Sequence, residues 1–326
     1  MQINDFPHEE VRKKIDAAES ITILSHLNPD ADTLGTALGI YALLIQDKTK
    51  KVEIANASKD LPQYLDFLPN FKKIKHQMDY ANSLVISCDC GSVDRLGFDL
   101  EGREIVNIDH HESNTKYGVI NVIVSEYASS SQVAFRLFEK IYHTSPDAAT
   151  CFYTALLSDT RYFTASSVNE EVFAVAKNLV ALGASPENIA RNFTQRRPLS
   201  SLRILEKALA SLELKLEAKV AILMVNKEDI KATGATVPDM EGIVDYAKSL
   251  ATVQIAIFAM ELEEGIRISL RSKGEDVSKV ALAFGGGGHK VAAGFTMKQC
   301  GLQRSIDTIL KKIEDLELIG IVDEKK

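Results

Sequence analysis

Two adjacent histidines follow an aspartate at the end of a short apolar run in this chain of 326 residues. The segment VNIDHH contains Asp109, His110 and His111, and a polar, turn-forming stretch comes next. Carboxylates and imidazoles are side chains that bind divalent cations and exchange protons. Their position at the end of a predicted strand therefore indicates a site for metal binding or acid–base chemistry.

Three other apolar segments, far apart in the chain, end in the same residue types. Taken singly, an aspartate after a strand is more often a turn residue or a helix cap, as Asp32 could be, and Asp109 could do no more than orient a histidine. Four segments with the same ending favour a shared site instead. The other residues are His26, Asp30 and Asp32 after residues 20–25, Asp89 after residues 84–88, and Asp159 after residues 154–158.

Alternating strand and helix patterns would position these residues. Strands are predicted at 20–25, 52–55, 84–88 and 104–108, and helices at 33–46, 130–142, 148–157 and 170–182. This alternation predicts an α/β fold with a doubly wound, mainly parallel sheet. The carboxyl ends of parallel strands lie at one edge of such a sheet, where ligands bind, so we expect the four segments to meet there.

Several carboxylates in one pocket repel one another unless positive charge lies between them. Four aspartates carry four negative charges, which two divalent cations would balance. Carboxylate oxygens and imidazole nitrogens suit Mn²⁺, our first expectation, or Mg²⁺ as the alternative. Two such cations about 3.5–4 Å apart activate water for the hydrolysis of phosphate esters. The predicted ligands are His26, Asp30, Asp32, Asp89, His110 and Asp159.

Composition narrows the class of protein. An apolar share of 45%, a charged share of 25% and a net charge of −7 are typical of a globular protein without a broad nucleic-acid-binding surface. No run approaches the roughly 20 apolar residues of a membrane span, and no secretory signal is found, so we expect a cytoplasmic protein with no membrane partner. The cysteines, at positions 88, 90, 151 and 300, are too irregularly spaced for disulfides or a zinc site.

The segment RNFTQRRPLS contains three arginines and a proline and is interpreted as part of a linker. We predict a catalytic domain at residues 1–190, a linker at 191–204 and a smaller α/β domain that binds substrate at 205–326. In the second domain, strand-like runs lie at 220–225, 252–260 and 266–270, and a helical segment from Asp276 ends at GGGGH.

The glycine run before His289 is the strongest binding signal in the second domain. Residues without a Cβ let backbone N–H groups approach a phosphate closely, although glycine runs are also flexible turns. Arg271 could bind phosphate through two N–H groups, whereas Arg267 and the linker arginines are interpreted as solvated. The predicted substrate-binding residues are Arg271, Ser272, Gly286, Gly287, Gly288 and His289.

Together these motifs resemble the DHH phosphoesterase family, which is named after the triplet at residues 109–111. The sequence SLRSKGEDVSKVALAFGGGGHKVAAGF resembles its companion DHHA1 domain, so the resemblance spans almost the whole chain. It implies catalytic roles for Asp89 as the bridge between two metals, His111 facing the substrate phosphate, and Asp109 holding the histidines in place. It also implies that His26 and Asp30 bind one metal, and Asp32, His110 and Asp159 the other.

Three positions depart from the pattern of that family. Ala31 replaces a glycine and Thr36 a serine of the first motif, and both changes are conservative. The family often has Thr-Gly after the last aspartate, whereas this chain has Thr160-Arg161, which adds a cation beside the expected cleft. All six predicted ligands are retained.

The resemblance implies a two-metal phosphoesterase that hydrolyses short oligonucleotides (nanoRNA) to mononucleotides and 3′-phosphoadenosine 5′-phosphate (pAp) to AMP. Alternatives are a soluble phosphodiesterase for c-di-AMP or pApA and a RecJ-like single-strand exonuclease, for which the chain looks too short. The glycine-rich signature speaks against an inorganic pyrophosphatase. The retained ligands speak against a different class, a nucleotide-binding regulator without catalysis.

The expected partners follow from the two-domain arrangement. A cleft between the domains would admit short single-stranded RNA or DNA, or a nucleotide, and would be too narrow for duplex DNA. The low aromatic content of 7% argues against a long stacking platform for single strands. The expected assembly is a monomer or a homodimer.

Overall fold

The computed structural model of the chain describes residues 6–298 and 301–319. It divides into two compact units, Met1–Arg196 and Arg197–Lys326. The point of division lies inside the segment 191–204 that the sequence predicts as a linker. Cys300 lies outside the described residues.

The first unit alternates strands with helices. Its elements are α1 (His8–Ala17), β1 (Ser20–Ser25), α2 (Ala31–Leu44), β2 (Lys51–Ala55), β3 (Ile74–Lys75), β4 (Leu84–Cys88), β5 (Ile105–Asp109), β6 (Ile120–Ile123), α3 (Ser130–Phe138), α4 (Pro146–Asp159), α5 (Glu170–Ala181) and α6 (Pro186–Thr194). The described strands form one parallel sheet in the order β3-β2-β1-β4-β5-β6. The predicted doubly wound α/β fold is therefore confirmed.

The order of the strands explains where polar residues can gather. β1 pairs with β2 on one side and with β4 on the other, so the direction of winding reverses between β1 and β4. Ser25, the last residue of β1, is in register with Cys88, the last residue of β4, which in turn pairs with Ile108. The residues that follow these positions share one edge of the sheet, at the point where doubly wound folds bind ligands.

Helices α2 and α4 approach each other closely because α2 contains glycines at the contact. A Cβ on Gly35 would lie 2.7 Å from the carbonyl oxygen of Cys151 and 2.8 Å from the Cβ of Ala155. Farther along α2, Gly39 lies against the ring of Phe152. Asp32 in the first turn of α2 and Asp159, the last residue of α4, have carboxylate oxygens within 4.8 Å of each other, so the two helices run in opposite directions.

The second unit is a mixed sheet covered by helices. Its elements are α7 (Leu199–Ala210), β7 (Glu213–Lys215), β8 (Val220–Val225), α8 (Lys227–Thr233), α9 (Ile243–Lys248), β9 (Ile255–Leu262), β10 (Gly265–Ser272), α10 (Ser278–Ala283), β11 (Gly287–His289), β12 (Ala292–Met297) and α11 (Leu302–Asp315). The strand order is β11-β12-β10-β9-β8-β7, with β8 and β9 parallel and the other neighbours antiparallel. Helices α10 and α11 contribute to one apolar core and α7 and α9 to another, so this smaller α/β unit is also confirmed.

Several boundaries differ from the sequence-based predictions. Residues 191–194 end α6 and residues 199–204 begin α7, so the non-helical part of the predicted linker is residues 195–198. The elements α1 and α8 are short or largely polar and were not predicted from the sequence. The helix α11 was also missed, although it has buried isoleucines at helical spacing, Ile306, Ile309 and Ile313. Among the described residues, no helix is long and apolar enough to span a membrane.

We expect the substitution Gly35→Ala to destabilise the chain. Alanine favours a helix over glycine by about 1 kcal/mol, but a methyl group forced against a backbone oxygen costs about 1–3 kcal/mol. Urea denaturation should therefore show a free energy of unfolding lower by about 1 kcal/mol, the middle of the range that the two opposing contributions allow. Gly274→Ala is the control, since a Cβ there meets nothing within 4 Å. Equal stability of Gly35→Ala and the wild type would contradict this account of the α2–α4 contact.

Candidate active site

His26, Asp30 and Asp89 form the first group of candidate ligands. The Nε2 atom of His26 is 3.6 Å from Oδ2 of Asp89 and 3.9 Å from Oδ2 of Asp30. Each residue offers an atom within 4.8 Å of the others, which suits a single cation. Asp30 also caps α2, because its Oδ1 accepts hydrogen bonds from the backbone N–H groups of Asp32 and Thr33 at 3.0 and 3.1 Å. One oxygen of Asp30 thus starts the helix while the other faces His26.

Asp32, His110 and Asp159 form the second group. The Nε2 atom of His110 lies 3.9 Å from Oδ2 of Asp32 and 3.6 Å from Oδ2 of Asp159. Asp32 is in the first turn of α2, His110 directly follows β5, and Asp159 is the last residue of α4. The sequence left open whether Asp159 follows a strand or a helix, and the structure shows a helix. The antiparallel contact of α2 and α4 brings the two aspartates together.

Asp89 lies between the two groups. Its Oδ2 faces His26, and its Oδ1 is 3.7 Å from Nε2 of His110. The residue is 3% exposed and has a positive φ of 55°, which turns the chain sharply at the end of β4. Its carboxylate thus presents one oxygen to each group, as a bridging ligand would.

In both groups the histidine turns Nε2, the ring nitrogen that can bind a cation, towards the carboxylates. Nδ1 of His26 is 2.8 Å from the carbonyl oxygen of Leu27, and Nδ1 of His110 is 3.2 Å from that of Tyr127. A carbonyl oxygen only accepts hydrogen bonds, so each Nδ1 carries the hydrogen and donates it. In the neutral ring Nε2 then keeps its lone pair, and it points towards the carboxylates.

Asp109 and His111 form a pair at the edge of this cluster. Oδ1 of the fully buried Asp109 accepts hydrogen bonds from Nδ1 of His111 at 2.7 Å and from the backbone N–H of His110 at 2.7 Å. Burial acts to raise the pKa of Asp109, but the hydrogen bonds of His111 and Asn114 outweigh it and lower that pKa. The hydrogen bond to Asp109, with attraction from Asp89, raises the pKa of His111 to about 9 despite its burial. A protonated His111 would suit a phosphate.

The carboxylates of the cluster are poorly tolerated as anions without a cation. Burial, followed by repulsion from Asp32 and Asp30, raises the pKa of Asp89 well above its usual range. Loss of water and repulsion from the same two aspartates raise the pKa of Asp159 to about 8, against the attraction of His111 and Arg161. Such groups become stable anions when a divalent cation lies between them. Oxygen-rich sets with one imidazole each fit Mn²⁺ or Mg²⁺.

The start of α3 holds these carboxylates in place through serines to which no role was assigned from the sequence. The backbone N–H groups of Ser130 and Ser131 donate to Asp32 at 2.7 and 3.2 Å. The Ser130 hydroxyl donates to Asp89 at 2.9 Å and lies 3.3 Å from Asp109. The sequence does contain a signal for these residues. Three consecutive serines precede an apolar helical pattern, and serine is a preferred residue at the start of a helix.

In the second unit, Arg271 and His289 lie on one face of the sheet. Arg271 on β10 pairs with Ala292 on β12, and Ala292 pairs in turn with His289 on β11. Residues directly opposite in antiparallel strands have side chains on the same face, about 5 Å apart at each step. Arg271 and His289 therefore rise from the same face of the sheet, on either side of the small Ala292.

The remaining predicted binding residues of the second unit divide into two kinds. A Cβ on Gly286 would lie 2.3 Å from the carbonyl oxygen of Gly294, and one on Gly288, where φ is +141°, 2.5 Å from that of Ala292. These two glycines are thus required by the packing of β11 on β12, whereas the Cβ position of Gly287 is open. The structure does not bring Ser272 to this face, since its side chain is 5% exposed and donates to the carbonyl oxygen of Glu275.

Both units of the chain match known protein families. Residues 20–156 match the DHH family, N-terminal domain, and residues 217–317 match the DHHA1 domain. The chain belongs to the DHH/DHHA1 phosphoesterase family. The candidate ligands at residues 26–110 fall within the matched DHH segment, and Asp159 follows it by three positions.

Relatives of this DHH/DHHA1 chain cover nearly its full length. A bifunctional oligoribonuclease and PAP phosphatase NrnA from Thermus thermophilus is 27% identical over 90% of this chain and 89% of its own. A protein of the same name from Bacillus subtilis is 23% identical over 94% and 97%. The crystal structure of an exopolyphosphatase-related protein from Bacteroides fragilis has a TM-score of 0.88 and 26% identity, and covers 95% of this chain and 96% of that one.

We expect metal binding to be visible as a change in thermal stability. Mn²⁺ at about 100 times its dissociation constant should stabilise the wild type by about 2.7 kcal/mol and raise Tm. Asp89→Asn removes one charge from the cluster, so in EDTA its Tm should equal or exceed that of the wild type, while the response to Mn²⁺ should be largely lost. Asp94→Asn, an exposed aspartate near the same strand end, is the control. A full Mn²⁺ response in Asp89→Asn would remove Asp89 from the ligand set.

Proposed function

We propose that this protein is a two-metal phosphoesterase that hydrolyses short oligonucleotides to mononucleotides and pAp to AMP. The observation that carries the proposal is the position of Asp89, whose two oxygens face two separate groups of candidate ligands. The names of the Thermus and Bacillus relatives, which join oligoribonuclease and PAP phosphatase, support the choice of substrates.

The ligand sets follow from the distances. His26, Asp30 and Asp89 would hold one cation, and Asp32, His110 and Asp159 the other, with Asp89 shared. When bound, two divalent cations supply a water of lowered pKa and neutralise the charge that develops on a phosphoryl group. We propose Mn²⁺, with Mg²⁺ as the alternative, because both accept mixed oxygen and imidazole ligands.

His111 would bind the scissile phosphate. Its ring is oriented by Asp109, whose own oxygens are fixed by Asn114 and backbone N–H groups. With Nδ1 donating to Asp109, the Nε2–H of the protonated ring can donate to a phosphoryl oxygen or to the leaving oxygen. Removing one such donor in other enzymes costs about 10²–10³ in rate.

The face of the second unit that contains Arg271 and His289 would bind another part of the nucleotide. A guanidinium can donate two parallel hydrogen bonds to one phosphate, and the open Cβ position of Gly287 lets backbone approach the ligand. This division of tasks would give binding energy to nucleotides that small phosphate esters cannot obtain. No side chain has to form a covalent intermediate, because water is the nucleophile.

A substrate panel in Mn²⁺ tests the proposal. We expect turnover of dinucleotide RNA, which includes pApA, of a 5-mer RNA and of pAp, and much slower turnover of c-di-AMP, pyrophosphate and longer single strands. Asp89→Ala should lose about 10³-fold or more in rate, since the charge stabilisation that a two-metal site supplies amounts to several kcal/mol. Preference for c-di-AMP, or for pApA over every other short RNA, would replace the proposed substrate class. Wild-type rates in Asp89→Ala would refute the shared-ligand mechanism.

Arg271→Ala should separate binding of the nucleotide from the chemistry. Loss of hydrogen bonds from a charged donor costs about 1.5–3 kcal/mol, so KM for pAp and dinucleotide RNA should rise about tenfold or more. Hydrolysis of bis(p-nitrophenyl) phosphate, which has no second phosphate, should change little. Arg267→Ala, four residues earlier and exposed on the same strand, is the matched control. Equal losses on both kinds of substrate would remove Arg271 from the binding role.

A further inference from the structure

The chain leaves α4 through three consecutive residues with left-handed backbone. Arg161, Tyr162 and Phe163 have φ values of 49°, 58° and 61°, which side chains with a Cβ rarely adopt. Among the described residues, one other such run occurs at residues 216–218, in the turn between β7 and β8. The run at 161–163 begins two positions after the candidate ligand Asp159. Strained backbone of this kind clusters at functional sites.

The hydrogen bonds show which residue type this position normally takes. The N–H of Tyr162 donates to the carbonyl oxygen of Leu157 at 2.8 Å, and the N–H of Arg161 to that of Ser158 at 2.9 Å. These are the two bonds of a Schellman motif, in which the residue at the place of Arg161 is usually glycine. The chain therefore forms at Thr160-Arg161 the turn that a Thr-Gly sequence would form, although arginine is less favourable than glycine in this backbone conformation.

The Arg161 side chain gains no compensating contact within the first unit. It is exposed, and its guanidinium makes no hydrogen bond or ion pair with described residues 6–196. It nevertheless lies two residues after the candidate ligand Asp159, close enough for its charge to attract that carboxylate. A cation in a costly conformation at the mouth of a phosphate site is in position to bind an anion there.

Tyr162 presents an aromatic surface beside this cation. Its side chain is 46% exposed, and its ring is edge-on to that of Phe193, with centroids 6.0 Å apart. Phe193 also packs against Tyr64 at 6.0 Å and against Phe67 at 6.1 Å. Tyr162 therefore packs on Phe193, which two further aromatic rings hold in place. Because this packing already restricts the Tyr162 side chain, less conformational entropy is lost when a base stacks on it.

We propose that Arg161 and Tyr162 form a subsite for the nucleotide next to the scissile phosphate. The guanidinium binds the neighbouring phosphodiester and the Tyr162 ring stacks on its base. The inference rests on the proposed function, since it assumes that the cluster beside Asp159 receives an oligonucleotide. It adds a nucleotide-binding surface in the first unit, separate from the residues of the second unit.

Arg161→Gly gives the first test, because stability and binding should change in opposite directions. Glycine removes the left-handed strain, so Tm should rise by about 2–4 °C. The dissociation constant for a fluorescent trinucleotide RNA, measured by anisotropy in EDTA, should increase about tenfold or more. Arg161→Gln should weaken binding as much without the gain in Tm. A structural role alone would raise Tm in Arg161→Gly and leave RNA binding unchanged.

Tyr162 is tested with a series of substrate lengths. Tyr162→Ala should lower kcat/KM about tenfold for a trinucleotide, because the ring on which the base stacks is removed, and should leave an alkyl phosphodiester without any aromatic group unaffected. Tyr162→Phe should behave as the wild type, since the ring is kept. Arg12→Gln, on the exposed surface of α1, is the control for loss of one positive charge from the unit.

The two proposals fail in different ways. Binding of RNA that depends on Arg161, without hydrolysis in Mn²⁺, would retain the subsite and refute the phosphoesterase. Hydrolysis of RNA with an unchanged dissociation constant and KM in Arg161→Gln would retain the phosphoesterase and overturn the subsite. A loss in Arg12→Gln equal to that in Arg161→Gln would also overturn it, since net charge alone would then explain the effect.

Discussion

The structure of the first unit depends on holding four aspartates within one pocket. Like charges at these distances repel, and burial removes the water that would screen them. The fold meets this cost locally, since Asp32 accepts two backbone N–H groups at the start of α3 and Asp30 accepts two at the start of α2. These bonds orient the carboxylates, but they do not cancel the charge, as the raised pKa values of Asp89 and Asp159 indicate. Side chains arranged in this way are suited to binding divalent cations.

Much of this arrangement could be predicted from the sequence because parallel strands are easily recognised. β1, β4 and β5 are buried almost throughout and therefore appear as runs of mainly apolar residues, in which Thr22, Ser87 and Asn107 are the uncharged polar exceptions between the first and last positions. A charged residue at the end of such a run is conspicuous. The doubly wound order then requires those residues to meet. Asp159 was harder, because an apolar helix and an apolar strand look alike over five residues. Its position depends on the glycines of α2, which bring two helices close enough to share a ligand pair.

What the sequence could not reveal are the residues that act through others and the elements with weak patterns. Ser130 matters because three carboxylates lie within reach of it, and that proximity exists only in the folded chain. The glycine run predicted close approach to a ligand, yet the packing of β11 on β12 accounts for Gly286 and Gly288. Ser272 lay next to Arg271 in sequence, but alternation along β10 turns neighbouring side chains to opposite faces. Ser272 therefore does not share the face of Arg271, although the two residues are adjacent in the sequence.

Arg161 shows how stability and function can oppose each other at a single position. The chain turns sharply after α4, where Asp159, the last residue of the helix, faces His110. Glycine would adopt the conformation of this turn with the least strain. An arginine there keeps the turn only because the two backbone hydrogen bonds and the packed ring of Phe163 against Tyr153 and Phe173 fix it. Backbone strain that the surrounding packing maintains is typical of positions where the side chain has a function. The exposed guanidinium beside the carboxylate cluster is the part of this turn that packing does not explain.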